Sequence, residues 1–319
     1  MTMKSIQLEP VDQAEIVILV DNYADVLLEG SEQISRSPVA DQEGRIYADT
    51  LLAEHGLSML VRTSREGKTR EILFDAGYSP VALPHNLDRL GLSLDAVEAI
   101  ALSHGHMDHT GALETVLERI PGNVPLVLHP DALLAHRFLT PPQGPRQVFP
   151  QTLDRSKLEA KGAVIRETAS PTPLAGGTVL VTGQVPRVTP YEHGMAGAFL
   201  ERDGREERDD ILDDQSLVLH VRGKGLVVVG GCSHAGIVNT VQYAVDLAGE
   251  KNVHAVLGGF HLAGDRSGEL TEKTIEGLKD FQPDFLMPMH CTGWTAVHRI
   301  AQAFPSAFAL SAVGTTVTF

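Results

Sequence analysis

His104-Gly105-His106-Met107-Asp108-His109 is the stretch around which the rest of the chain is organised. It follows Val97-Glu98-Ala99-Ile100-Ala101-Leu102-Ser103, which has the apolar content of a buried strand. It precedes Thr110 to Ile120, where Leu113, Val116, Leu117 and Ile120 recur at helical spacing. The motif is therefore expected in a strand-to-helix loop. There the two histidines at i and i+2 can point the same way, while Asp108 and His109 leave in another direction at the start of the helix. That makes two adjacent ligand sets. Imidazole and carboxylate suit zinc, iron or manganese, and two such ions together lower the pKa of a shared water and clamp an anionic oxygen. With histidine at only 14 of 319 positions, these offsets arise by accident in roughly one such chain in several hundred. A purely structural histidine cluster is the weaker reading.

The remaining candidates lie at the ends of apolar runs. Leu226-Val227-Val228-Val229 runs into Gly230-Gly231-Cys232-Ser233-His234, and Val253 to Leu257 runs into Gly258-Gly259-Phe260-His261. Each is a strand, then two glycines, then a histidine soon after, and the repetition suggests that both histidines line one cleft. A third strand, Phe285 to Met289, ends at His290-Cys291-Thr292-Gly293. Earlier, Leu57 to Arg62 and Glu71 to Phe74 read as a hairpin around Glu66-Gly67, which should bring His55 and Asp75 toward the same edge. Glu15 to Val20 is a continuous apolar strand closed by Asp21-Asn22, and Pro80 to Leu90 a short helix ending at Gly91. His129 and His136 have no partner spacing and are read as ordinary structural or surface histidines.

Two stretches lack such order. Residues 29–49 are polar and irregular, a long surface loop with the character of a lid, and periodicity weakens again between Thr140 and Asp214. The second stretch is expected to cover the metal edge. Within it Arg187 is a candidate for holding an anionic group and His193 a further ligand candidate, with solvated loop residues as the alternative. The charge run from Glu201 to Asp214 is expected to be a solvated loop, with Asp214 kept as a pocket candidate.

Composition limits the function classes. A 43% hydrophobic content can supply a sizeable core, and motif residues spread from 54 to 291 favour a single domain over residues 1–319, with insertions near 29–50 and 140–214. A net charge of −15 argues against a nucleic-acid or anionic-membrane surface. Met1 to Gln7 has no apolar signal core and no apolar run reaches spanning length, so a cytoplasmic location is the default expectation. The two cysteines, Cys232 and Cys291, make no disulfide framework.

His-x-His-x-Asp-His after a hydrophobic strand resembles the signature of the metallo-β-lactamase superfamily. Glu54-His55-Gly56-Leu57-Ser58, Leu73-Phe74-Asp75-Ala76-Gly77, Gly231-Cys232-Ser233-His234-Ala235-Gly236, Gly258-Gly259-Phe260-His261-Leu262 and Pro288-Met289-His290-Cys291-Thr292-Gly293 resemble, in that order, its dihydropterin-ribofuranosylaminobenzene-phosphate synthase-like branch. The resemblance implies an α/β (α+β) fold, a four-layer αββα sandwich with the metals at one edge of the two sheets. It implies His104, His106 and His234 at one divalent ion and Asp108, His109 and His290 at the other, with zinc expected first and iron or manganese as alternatives. It also implies Asp75 as a structural organiser of the site. Many members place a bridging Asp at a Gly-Asp pair where this chain has Gly231-Cys232, so Cys232 is either a ligand for a soft ion or a buried pocket residue.

The function expected is metal-dependent hydrolysis of an ester, lactone or phosphodiester in a small, in some cases anionic, substrate. Asp108 would orient the nucleophile, His261 or His55 would protonate the leaving group, and Glu54, Arg187 and Asp214 are the substrate-contact candidates. Two alternatives remain: the synthase chemistry for which the branch is named, and a non-catalytic metal- or ligand-binding regulator on the same fold.

Overall fold

β1 (Gln13–Val20) shows why its sequence is a continuous apolar run: Ile16 and Ile18 face one hydrophobic layer, Val17 and Leu19 another, so both faces are buried. It belongs to a computed structural model that describes residues 6, 8–202, 204–264 and 267–319; the amino-terminal expectation, Ile6 apart, lies outside the described residues. β2 (Ile34–Ser35) is a short edge strand inside the expected 29–49 loop. β3 (Ser58–Arg65) and β4 (Lys68–Phe74) form the expected hairpin. α1 (Ala82–Leu90) stops at Gly91, whose left-handed backbone caps it.

β5 (Val97–Ala101) leads into the histidine motif. The single helix expected after it is two pieces, α2 (Met107–Thr110) and α3 (Leu113–Arg119). The break has a cause: the N–H groups of Gly111 and Ala112 donate to the carbonyls of Gly77 and Ala76, at 2.8 and 3.2 Å, instead of to the preceding helical turn. β6 (Val124–Leu128) follows.

The region from 140 to 214 is far more regular than its sequence suggests. With β7 (Arg137–Leu139) just ahead of it, it carries β8 (Gln147–Val148), α4 (Arg155–Ala160), β9 (Ala163–Glu167), β10 (Thr172–Leu174), β11 (Val179–Val181), β12 (Ala198–Arg202) and β13 (Arg205–Arg208). These strands are short and several sit at sheet edges. In β9 only Ala163 is fully buried, and β13 is exposed throughout, so neither writes an apolar pattern into the sequence. The charge run is a correction too: β12 and β13 pair as a hairpin, after which Asp209, Asp213 and Asp214 are buried. The chain then continues through β14 (Leu217–Val221), β15 (Gly225–Gly230), α5 (Ile237–Ala248), β16 (Val253–Gly259), α6 (Ser267–Lys279), β17 (Phe285–Met289), α7 (Trp294–Ala303) and β18 (Thr316–Thr318).

One sheet has the order β2-β18-β1-β3-β4-β5-β6-β9, and a second β10-β11-β14-β15-β16-β17. Between them lies a core that includes Ile16, Met59, Ile72 and Phe74 from the first sheet and Leu217, Val227, Leu257 and Met287 from the second. Leu83, Leu87, Val116 and Leu158 of α1, α3 and α4 cover the outer face of the first sheet. Ile237, Val241, Leu278 and Ile300 of α5, α6 and α7 cover that of the second. The result is the expected αββα sandwich, with a small sheet, β13-β12-β7-β8, added beside it. β4, β5, β6 and β9 run parallel, as do β15, β16 and β17. Parallel strands deliver their carboxyl ends, and the loops that follow, to a common edge, the usual place for a ligand in such sheets. No helix among the described residues is long and apolar enough to cross a membrane.

Candidate metal centre

The loops leaving β4, β5, β15, β16 and β17 meet at that edge through strained turns. Asp75, Ser233, His261 and His290 all have positive φ, at 60°, 54°, 43° and 53°, although none is glycine. Such backbone persists only where the surroundings over-determine it, and it collects at functional sites. Gly105, between the first two histidines, serves a different need: a Cβ there would lie 2.2 Å from the carbonyl oxygen of Ala132.

Two groups of donor atoms converge. His104 Nε2 lies 3.0 Å from His106 Nδ1 and 3.2 Å from His234 Nε2. His109 Nε2 lies 3.1 Å from His290 Nε2, and Asp108 Oδ2 is 3.4 Å from that same His290 nitrogen. Cys232 Sγ stands 3.2 Å from His109 Nε2 and also falls within the His104–His234 group. Ligand atoms about 2.0–2.1 Å from one tetrahedral ion are separated by about 3.3 Å, so these spacings fit a metal.

The protonation pattern fits as well. Ser103 Oγ donates its only proton to Asp75 Oδ2 at 2.7 Å, so at 2.9 Å it accepts from His104 Nδ1. Asp75 Oδ2 also accepts from His109 Nδ1, at 2.6 Å. Both rings thereby turn Nε2, and not Nδ1, toward the cluster, the orientation a metal ligand requires. Asp75, fully buried and further tied to the Ser103 N–H, is the hinge of this arrangement.

Burial is the largest influence on His104, His106, Asp108, His109, His234 and Asp214. It keeps His106 neutral, with a pKa lowered to about 3, helped by the nearby Arg137. Burial and then the neighbouring imidazoles lower His104 and His234 well below the usual range. For His109 burial is outweighed by the carboxylates of Asp75 and Asp108, and its pKa is pushed up to about 9. For Asp108 burial is outweighed by His109 and His290, which keep the carboxyl ionised. Burial raises Asp214 to about 6, against the opposing N–H groups of Ala235 and His234.

The other sequence candidates divide. His55 is largely exposed at the mouth, its Nε2 3.6 Å from Asp108 Oδ2 and its ring stacked on His290. The His261 ring packs 4.2 Å from that of His234, on the opposite flank of the cluster from His55. Asp214 is buried behind the His234 loop and accepts the Ala235 N–H at 2.9 Å. Arg187 lies near Asp214 but turns Nη2 to the Asp210 carbonyl. Two candidates stand elsewhere. The Glu54 carboxylate is occupied by the N–H groups of Tyr78 and Ser79 and the Ser79 hydroxyl, so it fastens a loop. His193 is exposed and belongs to none of the donor groups; its neighbour Glu192 is buried and caps α5 through the N–H groups of Val238 and Asn239.

Several contributing residues carry no motif. Asp21 accepts the His290 N–H at 3.0 Å, and Asn22 contacts both His55 Nδ1 and the His290 carbonyl at 3.1 Å. In the sequence this pair only closes the strand Glu15 to Val20; its polarity directly after a buried run is the one local signal of a further role. Asp213 accepts the Gly105 N–H at 2.7 Å and is forked by Arg137 at 2.6 and 3.0 Å, while Phe149 packs edge-on against His106. Arg137 and Phe149 belong to the small sheet and its rim, and nothing local in the sequence points from them to the motif.

Comparison with known proteins agrees with this geometry. Residues 52–244 match the family model described as the metallo-beta-lactamase superfamily. The chain is 30% identical over 279 residues to the 7,8-dihydropterin-6-methyl-4-(beta-D-ribofuranosyl)-aminobenzene-5'-phosphate synthase of Methanocaldococcus jannaschii, covering 86% of this chain and 92% of that one. It is 32% identical over 254 residues to an uncharacterized protein of the same organism, covering 78% and 88%. The crystal structure of Tm1679, described as a metal-dependent hydrolase of the beta-lactamase superfamily, superimposes with a TM-score of 0.72 at 23% identity, covering 95% of this chain and 98% of that one.

Proposed function

Because this chain belongs to the metallo-beta-lactamase superfamily, we propose that it is a metal-dependent hydrolase of a small-molecule ester, lactone or phosphodiester. The observation that carries the reading is the pair of converging donor sets, His104/His106/His234 and Asp108/His109/His290, with a solvent-facing histidine at their mouth. Two divalent ions held there, zinc first and iron or manganese as alternatives, would supply Lewis acidity and a nucleophile competent at neutral pH.

The chain's own residues account for the remaining tasks. Asp75 and Ser103 fix the ring orientation of His104 and His109, so the donor atoms need no reorganisation when substrate arrives. Asp108 sits between His290 and His55, and its carboxylate orients the attacking group. His55, lowered by burial and then by His290, is neutral at pH 7 and open to solvent. It takes up a proton there and delivers it to the leaving group, with His261 the alternative donor on the other flank. The small sheet that carries Arg137 lies beside the motif and lends the pocket its wall.

The curated relative named as a synthase supports a second reading, in which the same donors act as a template for joining two substrates. Metal analysis on protein prepared without chelator, with phosphodiester, lactone and ester substrates assayed on the same sample, separates the two. About two equivalents of metal with chelator-sensitive turnover supports the hydrolase. Full metal occupancy with no turnover of any of the three classes overturns it in favour of the synthase reading. His234→Ala and His290→Ala should each lose about one equivalent; a variant that binds as much metal as the parent removes that residue from its set.

A further inference from the structure

Both free cysteines of the chain lie at this edge, and only one of them touches the two histidine sets. β15 and β17 each pair with β16 and so stand two strand spacings apart, about 9–10 Å. Side chains beyond their ends would not ordinarily meet. Here Gly259, at the end of the strand between them, leaves the space open: a Cβ on it would lie 2.7 Å from Cys291 Sγ and 3.3 Å from Cys232 Cα. Cys291 Sγ reaches across this gap to within 3.5 Å of the Cys232 carbonyl. His261, at the loop leaving β16, has a positive φ of 43°. The donor atoms of Cys232, His261 and Cys291 all lie within 4.8 Å of one another, and His261 Nδ1 is buried with no hydrogen-bond partner among the described residues.

We propose that Cys232, His261 and Cys291 form a third ligand set that takes one thiophilic ion, distinct from the two sets built on the histidine motif. Two sulfurs and one imidazole select soft ions such as Cu(I) or Cd²⁺ over the harder Zn²⁺, and far over Mg²⁺, Ca²⁺ or Mn²⁺. Cys232 is the shared corner of all three sets, so an ion held by the thiols abuts the histidine-held ones. The buried Nδ1 of His261 gains a partner in this way.

Cadmium is the probe. Full-length reduced protein, first saturated with zinc, is titrated with Cd²⁺ under argon and desalted; bound metal is then counted by elemental analysis and thiolate ligation read from the ultraviolet charge-transfer band. The expected result is one Cd²⁺ bound beyond the zinc saturation level, with a two-thiolate band. Cys291→Ser should weaken that binding by at least about tenfold and halve the band while leaving the zinc content unchanged. His261→Asn should weaken it without removing either thiolate. Unaltered cadmium affinity in both folded variants overturns the proposal. So does a parent that takes up no additional Cd²⁺ while its two thiols stay free, or one in which they have joined as a disulfide. The readout is metal binding, not turnover, so its failure and that of the hydrolase reading are separately visible.

Discussion

At the scale of single residues, Asp214 is the sharpest test of the electrostatics. Its carboxyl is fully buried, and one of its two oxygens has no hydrogen-bond partner among the described residues. Its pKa is raised from 3.8 to about 6, so between those values the folded chain holds a proton that the unfolded chain has lost. Asp214 therefore contributes stability fully below pH 3.8, and that contribution disappears as pH rises through about 6. The loss is about 2–3 kcal/mol. Asp214→Asn, which keeps an oxygen for the Ala235 N–H, should flatten this limb. Urea denaturation of chelator-treated parent and variant at pH 4 and pH 7 checks it; equal pH dependence in the two would show that Asp214 ionises freely.

At the scale of elements, the decisive link is between the small sheet and the metal loop. Arg137 on β7 is 4% exposed and Asp213 fully buried, and Asp213 in turn holds the Gly105 N–H between two candidate ligand histidines. Burial by itself would raise the Asp213 carboxyl, and Arg137 outweighs it, so this pair is charged in the folded chain. Arg137 also pairs through Nε with the buried Asp209 at 3.2 Å. Arg137→Met therefore strands two carboxylates and should cost about 3–5 kcal/mol, whereas Asp213→Asn leaves Arg137 a partner and should cost less. The double variant should recover part of the Arg137→Met loss, since Asp213 is then no longer an unpaired buried charge and only Asp209 is left without Arg137, and denaturant unfolding of the four proteins measures it. Additive losses would mean the two act independently. Gly105→Ala should be the more damaging loop change for metal affinity, because the clash it makes is with the Ala132 backbone, which cannot rotate away. Competition with a chromophoric chelator reads that loss directly.

At the scale of the molecule, the donor sets join both halves of the sandwich. The motif loop follows the first sheet, and Cys232, His234, His261 and His290 follow strands of the second. Metal bound at this edge would therefore tie the two sheets together and would stabilise the fold by an amount that grows with the logarithm of its free concentration over its dissociation constant. Chelator should lower the melting temperature by several degrees, on the order of 2–4 °C for each kcal/mol of linked stabilisation in a chain of this size. Readdition of zinc should restore it; a melting curve indifferent to chelator would mean that the sheets are joined by their apolar core alone.

What the sequence by itself determined was whatever is written locally. The histidine motif, the strand ends carrying Cys232, His261 and His290, and the apolar runs of β1, β15, β16 and β17 are legible because a strand buried on both faces, parallel or antiparallel, must be continuously apolar, and because ligand types at short fixed spacings are rare by chance. Tertiary structure alone decided the rest. Apart from the buried β11, the strands between 140 and 214 are short and partly or wholly exposed, so no periodicity marks them. Arg137 and Asp213 stand 76 positions apart in the chain, and Asp21 and His290 269 apart. Glu54 reads as a pocket residue until two backbone N–H groups are seen to occupy it. A buried carboxylate takes its role from whichever donors the fold brings to it, and that pairing is a property of the closed sandwich, absent from any stretch of the chain read alone.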